Sequence, residues 1–161
     1  MSEELAVVTV TVGDQDLAVP VADVVEVIGD YPVTPVPLSP PEVIGVLNLR
    51  GRIVTVLDLH ARLVGGTAPP LPLMRLERGL VVVHDGAPYA IRVDAVEDLQ
   101  RFDSTTLTAP PAAISPALGA LSAGLHMGTQ GLTVILDVDK TLLSLTPSPA
   151  RAAPLRQVAR R

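Results

Sequence analysis

The chain has 161 residues, of which 48% are hydrophobic and only 2% aromatic, and its formal net charge is −5. That length allows one domain, or two very small ones, and the core must be aliphatic because Tyr31, Tyr89 and Phe102 are the only aromatic residues of the kind that fill cores. The absence of cysteine excludes disulfides, thiol catalysis and cysteine-ligated metals, and the acidic balance argues against nucleic acid as the main partner.

The start, Met1-Ser-Glu-Glu, lacks the basic region of a secretory leader. Residues 5–12 read Leu-Ala-Val-Val-Thr-Val-Thr-Val, a β-rich run ending at the turn Gly13-Asp14. Residues 17–21 form a second strand, in which Pro20 suggests an edge position or a bulge. Residues 23–28 continue as strand after a short bend. Side chains alternate across a strand, so Glu26 should mark the outward face and Val24 should share it. An exposed valine there is either part of a docking surface or an ordinary surface residue. On the docking reading, Val24→Asp weakens binding without unfolding the chain. Residues 29–41 carry five prolines and read as a stiff, extended loop.

The most informative stretch follows. Two β-branched runs, 43–47 and 53–57, flank Asn48-Leu49-Arg50-Gly51, the pattern of a hairpin with a tight turn. Gly51 gives the turn its backbone freedom, and Arg50 is expected to be lifted off the sheet with its donors free. Such a guanidinium either recognises a partner or braces its own turn through local carbonyls. Asp58 closes the second strand and can cap a helical turn over 59–63.

Residues 65–79, with Gly65-Gly66 and three prolines, read as a linker. From Leu80 the pattern begins again. Residues 80–84 form a strand, Asp85-Gly86 a turn, and the run 89–99 mirrors 17–27. Val96 falls where Val24 does and Asp98 where Glu26 does. Leu132-Thr-Val-Ile-Leu-Asp137 repeats Ile53-Val-Thr-Val-Leu-Asp58. Two units are too few for a solenoid, so the duplication predicts an all-β protein with short helices, built as two similar small barrels. The first would cover residues 5–64 and the second 80–146. No Asp, Glu, Lys or Arg occurs between Asp103 and Asp137, but prolines and glycines break that stretch and no membrane insertion is expected. Residues 147–161 carry four arginines and no acid, which reads as a disordered basic tail.

The residues do not assemble a reaction centre. Phosphate-binding, dinucleotide-binding, zinc-protease and nucleophile-elbow motifs are all absent, and His60, His84 and His126 lack metal-ligand spacing. Asp58 and Asp137 occupy equivalent strand ends and are better explained as two helix caps than as a carboxylate pair. No enzyme activity and no cofactor are expected. A nucleic-acid-binding tandem barrel is the alternative from another class; it would want stacked aromatics and a basic groove, and steeply salt-dependent retention on DNA would reveal it.

The run Val24-Val25-Glu26-Val27-Ile28, the proline-rich loop, residues 43–54 through Asn48-Leu49-Arg50-Gly51, and Leu57-Asp58-Leu59 resemble the CheW family of chemotaxis coupling proteins. Val93-Asp94-Ala95-Val96 and Ile135-Leu136-Asp137 with Leu142-Leu143 are similar to it as well. The resemblance covers residues 5–145. It implies two SH3-like five-stranded β-barrels enclosing a hydrophobic groove, in a non-catalytic cytoplasmic adaptor recruited to chemoreceptor arrays. The implied partners are the cytoplasmic tips of chemoreceptors, the regulatory domain of a CheA-type histidine kinase, and CheW-like copies in self-association. By position, Val24, Glu26, Asn48, Leu49, Arg50 and Gly51 would form the receptor-facing groove and its tip, with Val96 and Leu142 on its other wall. Pro40, Pro41, Glu42, Val43 and Ile44 would lie nearer the kinase. Two departures stand out: Ala90-Ile91-Arg92-Val93 replaces a glycine-led strand and puts a charge beside the groove, and Gly119-Ala120 replaces the usual Gly-Val. A specialised member serving another motility or developmental pathway fits these departures.

Overall fold

The computed structural model describes residues 3–60, 63, 70–71, 74–109, 115–129 and 131–145. In chain order the elements are β1 (Glu4–Val12), β2 (Gln15–Pro20), a 3₁₀ turn (Val21–Asp23), β3 (Val24–Ile28), β4 (Tyr31–Pro32), β5 (Val43–Leu49), β6 (Arg52–Asp58), β7 (Arg75–Leu76) and β8 (Gly79–His84). They continue with β9 (Ala87–Arg92), β10 (Ala95–Asp103), a second 3₁₀ turn (Ser104–Thr106), α1 (Pro116–Leu121), β11 (Ser122–Gly128), β12 (Gly131–Leu136) and α2 (Val138–Leu145). The tail 147–161 and residues 65–69 and 72–73 of the linker lie outside the described residues. Among the described residues no helix is long and apolar enough to cross a membrane.

The strands form two five-stranded sheets, ordered β10-β1-β2-β12-β11 and β3-β8-β9-β6-β5, with β4 and β7 pairing separately. The duplication is visible strand by strand: β1, β2, β3, β5 and β6 correspond to β8, β9, β10, β11 and β12. Yet neither sheet is built from one half of the chain. Each takes the leading hairpin of one half and the remaining three strands of the other, joined by parallel pairing of β2 with β12 and of β9 with β6. The sheets therefore cut across the expected segments 5–64 and 80–146. The physical reason is that two near-identical hairpins offer the same register to either set of partner strands, and the exchanged arrangement buries one face of every central strand in a shared seam.

That seam is the largest core. Leu17 and Val19 of β2, Leu57 of β6, Leu80 and Val82 of β8, Ile91 of β9, and Val134 and Leu136 of β12 meet there with Leu118 and Leu121 of α1 and Leu142 of α2. The intervening residues point the other way, into the hollow of each curled sheet. Val54, Val56, Val81 and Ala90 fill one hollow together with Ile28, Leu47, Leu49 and Leu76. Ala18, Ile135, Val7 and Phe102 line the other. Strands buried on both faces explain why β8 reads as an unbroken apolar run, and β6 and β12 as apolar runs interrupted only by Thr55 and Thr133, instead of alternating ones. Pro20 sits at the last residue of β2, which is an interior strand; the pairing with β12 involves Leu17 and Ala18, so the missing N–H of Pro20 interrupts no bond on that side.

Both copies keep the same irregularities. The β5–β6 hairpin is bulged between Val43 and Gly45, and β11–β12 between Ser122 and Gly124. An isolated bridge covers the outer edge in each, Thr34 with Val46 and Thr108 with Leu125.

Candidate interaction site: the clasped hairpin

The turn joining β5 to β6 has two residues, between the closing pair Leu49 and Arg52. Arg50 and Gly51 both take positive φ, 51° and 87°, the conformation whose twist matches that of the flanking strands. Glycine adopts it freely, whereas for arginine it costs on the order of 1 kcal/mol. The Oδ1 of Asn48 accepts a hydrogen bond from the Gly51 N–H at 2.7 Å and braces the turn. Leu49 is buried in the hollow below. In Asn-Leu-Arg-Gly, then, Asn48 braces, Leu49 anchors, Gly51 turns and Arg50 is displayed.

Arg50 is neither free nor tied to local carbonyls, which corrects both sequence-based expectations. Its Nη1 and Nη2 donate to Oε1 and Oε2 of Glu26, both at 2.6 Å, in a two-pronged fork. Since β3 and β5 are opposite edges of one sheet, this clasp links the ends of the curl. The Arg50 side chain keeps 67% of its surface exposed and Glu26 keeps 26%. Hydrogen bonding to Arg50, reinforced by its charge, holds the Glu26 carboxyl below the usual glutamate range, and the same bonds push the guanidinium up.

The exposed valines on β3 are Val25 and Val27, at 60% and 49%. Val24 is half-buried and packs against the seam core, so it does not stand out beside Glu26 as the alternation suggested. The cause is a bulge between Val24 and Glu26 in the pairing with β8, an extra residue that a period-of-two argument does not anticipate. Ile53, after the hairpin turn, is exposed at 64%. Apolar side chains thus flank the clasp in sequence on both of its strands.

Other residues expected at the site are placed differently. Val96 is half-buried on the seam core like Val24, and Leu142 is fully buried there. Leu142 therefore supports the seam and offers no surface; the exposed residue beside it is Leu143. In the stretch 40–44, the Val43 N–H donates to the Pro40 carbonyl, Val43 packs on the seam core and Ile44 on the clasped hollow, while Pro41 is exposed. Arg92, the charge that departs from the family pattern, donates Nη1 to Oδ2 of the buried Asp58 at 3.1 Å. Asp58 also accepts from the His60 N–H, and Asp137 from the Lys140 N–H, so both act as caps. Sequence reasoning missed Val25, Val27 and Ile53: across the bulge Glu26 misled as a marker of the outward face of β3, and the β-branched run 53–56 carried no sign of which members face out.

Among the described residues no cluster of three or more His, Asp or Glu is arranged to hold a metal. A family model described as "CheW-like domain" matches residues 6–145. The chemotaxis protein CheW of Rhizobium meliloti is 29% identical over 144 residues, covering 88% of this chain and 87% of that one. Protein FrzA of Myxococcus xanthus is 33% identical over 135 residues, 81% of each chain. Among solved structures, the scaffolding protein TtCheW from Thermoanaerobacter tengcongensis superposes with a TM-score of 0.73 at 24% identity, covering 86% of this chain and 88% of its own.

Proposed function

The chain belongs to the CheW-like domain family, and from that premise we propose that it is a non-catalytic adaptor coupling chemoreceptor tips to a CheA-type histidine kinase. The observation that carries this reading is the clasped hairpin: a rigid turn displays Arg50, and Glu26 fixes the direction of its guanidinium. Val25, Val27 and Ile53 supply apolar surface on the same two elements. A few apolar contacts with a polar, charge-fixed rim suit a modest reversible interface better than an obligate one. In this reading Asn48, Leu49 and Gly51 shape the tip, and Val24 and Val96 support it from beneath. The turn 40–44 lies on the kinase side, and the sheet edges β3 and β10 are open to a kinase regulatory domain or a CheW-like copy. The protein would work in the cytoplasm at receptor arrays. A nucleic-acid-binding tandem barrel has no support in the matches.

The test uses a reconstituted mixture of receptor, kinase and adaptor. Val25→Asp and Val27→Asp are expected to weaken receptor binding at least tenfold with the fold intact by circular dichroism, and Arg50→Ala to lower kinase activation. Full activity of all three variants would remove this face from the site. The Val24→Asp variant suggested by the sequence is unsuitable, because burying a carboxylate against the seam core would destabilise the fold itself.

A further inference from the structure

The second copy of the fold lacks the clasp. The β11–β12 hairpin closes on the pair Gly128 and Gly131 as β5–β6 closes on Leu49 and Arg52, so Thr129 stands in the place of Arg50. Asp98 on β10 stands in the place of Glu26. With threonine opposite the carboxylate, no ion pair among the described residues ties the edges, and a groove of about 760 Å³ opens between them. Its exposed apolar side chains are Met127, at 73%, and Leu132, at 37%. Phe102 and His126, stacked in parallel with ring centroids 3.7 Å apart, also line it. Its acidic groups are Asp16, Glu97 and Asp98. Glu97 accepts a hydrogen bond from the Thr11 hydroxyl at 3.2 Å, whereas neither Asp16 nor Asp98 has a cationic partner among the described residues.

A groove more polar than apolar, with the half-buried His126 ring at its wall and carboxylates that lack a cationic partner among the described residues, suits an arginine-bearing peptide: the guanidinium forks onto a carboxylate and stacks on the imidazole, while the stem covers Met127 and Leu132. The chain carries such a peptide. Residues 147–161 contain Arg151, Arg156, Arg160 and Arg161 and no acid, and the residues before them hold 8 basic against 17 acidic groups, a net charge of −9. Fifteen residues span up to about 50 Å when extended, against a radius of gyration of about 15 Å for a body of this size. The groove is within reach wherever α2 ends.

We propose that the groove on the second sheet, between β10 and the β11–β12 hairpin, is the docking site of the chain's own C-terminal segment 147–161. One of its arginines supplies to Asp98 the guanidinium that Arg50 supplies to Glu26 in the first copy. The segment then acts as a removable plug, and any partner that needs this face competes with it. The proposal does not depend on which partners the clasped hairpin binds.

The test uses the full chain, whose lack of cysteine allows a single nitroxide label on an Ala159→Cys variant. At low salt the label is expected to erase the amide NMR signals of Gly128, Gly131 and Leu132 while sparing those of the β5–β6 hairpin. The signals should return at about 0.5 M salt, where screening is short-ranged. They should also return when the four arginines are changed to Gln, and in Thr129→Arg, where a built-in guanidinium takes Asp98. Groove signals that stay intact at low salt, that vanish equally with the arginine-free segment, or that are indifferent to Thr129→Arg would overturn the proposal. So would broadening seen only between differently labelled molecules in a mixture, which would put the segment on a second copy.

Discussion

The pair Arg50–Glu26 shows how one contact can matter for presentation more than for stability. Both groups are in contact with solvent, and exposed ion pairs contribute little because water and salt screen them. Their geometry is nevertheless strict: two parallel bonds of 2.6 Å fix the plane of the guanidinium on a turn that already fixes its origin. Because the Glu26 carboxyl is held low by Arg50, whatever the pair contributes is fully present above the ordinary glutamate range and is lost as the pH falls through the lower folded value. Glu26→Gln should therefore melt within a few degrees of the wild type at neutral pH, and the small difference should vanish in acid. The larger effect belongs to Arg50, whose guanidinium NMR signals should lose their restricted rotation in the variant. A Glu26→Gln protein with wild-type guanidinium dynamics would show that the turn alone orients the arginine. The resemblance picked out Arg50 and Glu26 together. That they hold each other across the curl was not legible, since no local pattern brings residues 24 positions apart into contact.

At the scale of elements, the two hairpins test how far duplicated sequence means duplicated structure. Nine of the strands, their turns and both caps were readable because β-branched runs, Asp-Gly and Asn-x-x-Gly act locally, whereas β4 and β7 lie in stretches read as loop and linker, and α1 and β11 in a stretch given no element. The bulges were not, since one inserted residue leaves no mark on composition, and the bulge in β3 alone reversed which valines face out. Gly45 and Gly124 occupy matching bulges, yet their surroundings differ. A Cβ on Gly45 would collide with the Thr34 carbonyl oxygen and come within 2.9 Å of Val33 Cγ1, whereas one on Gly124 would lie 3.5 Å from the Thr108 oxygen. The Gly45 side cannot yield without opening the paired Thr34–Val46 backbone bonds, each 2.8 Å. Gly45→Ala should cost about 1–3 kcal/mol of stability, as overpacking does, and Gly124→Ala markedly less. Equal denaturation midpoints for the two variants would mean that the edge bridge at Thr34 is too soft to matter.

The whole molecule is held together by exchange. A repeat in sequence suggests two bodies side by side, each foldable from its own segment, and composition cannot say otherwise because either copy of a hairpin satisfies either set of neighbours. The pairings decide it: β1 with β10, β2 with β12, β3 with β8 and β6 with β9 all cross the stretch 65–79. Among the described residues of the first half only the hairpins β1–β2 and β5–β6 and the isolated Thr34–Val46 bridge remain, and lone hairpins are marginal in water. The seam core also draws on both halves, so neither sheet can lose its partner without exposing Leu17, Leu57, Leu80 and Leu136 together. The intact chain should consequently unfold in one calorimetric transition, not two. Fragments 1–68 and 69–161, produced separately, should each lack dispersed amide signals and cooperative melting, and should recover both when mixed in equal amounts. The recovery should be slow, because every sheet must be assembled from distant pieces. Should either fragment alone give a native-like spectrum, the exchanged pairing would be a late ornament on a self-sufficient unit. A cooperative mixture of two unfolded halves would instead mean that the adaptor presents both of its faces, the clasped and the open, as one rigid object.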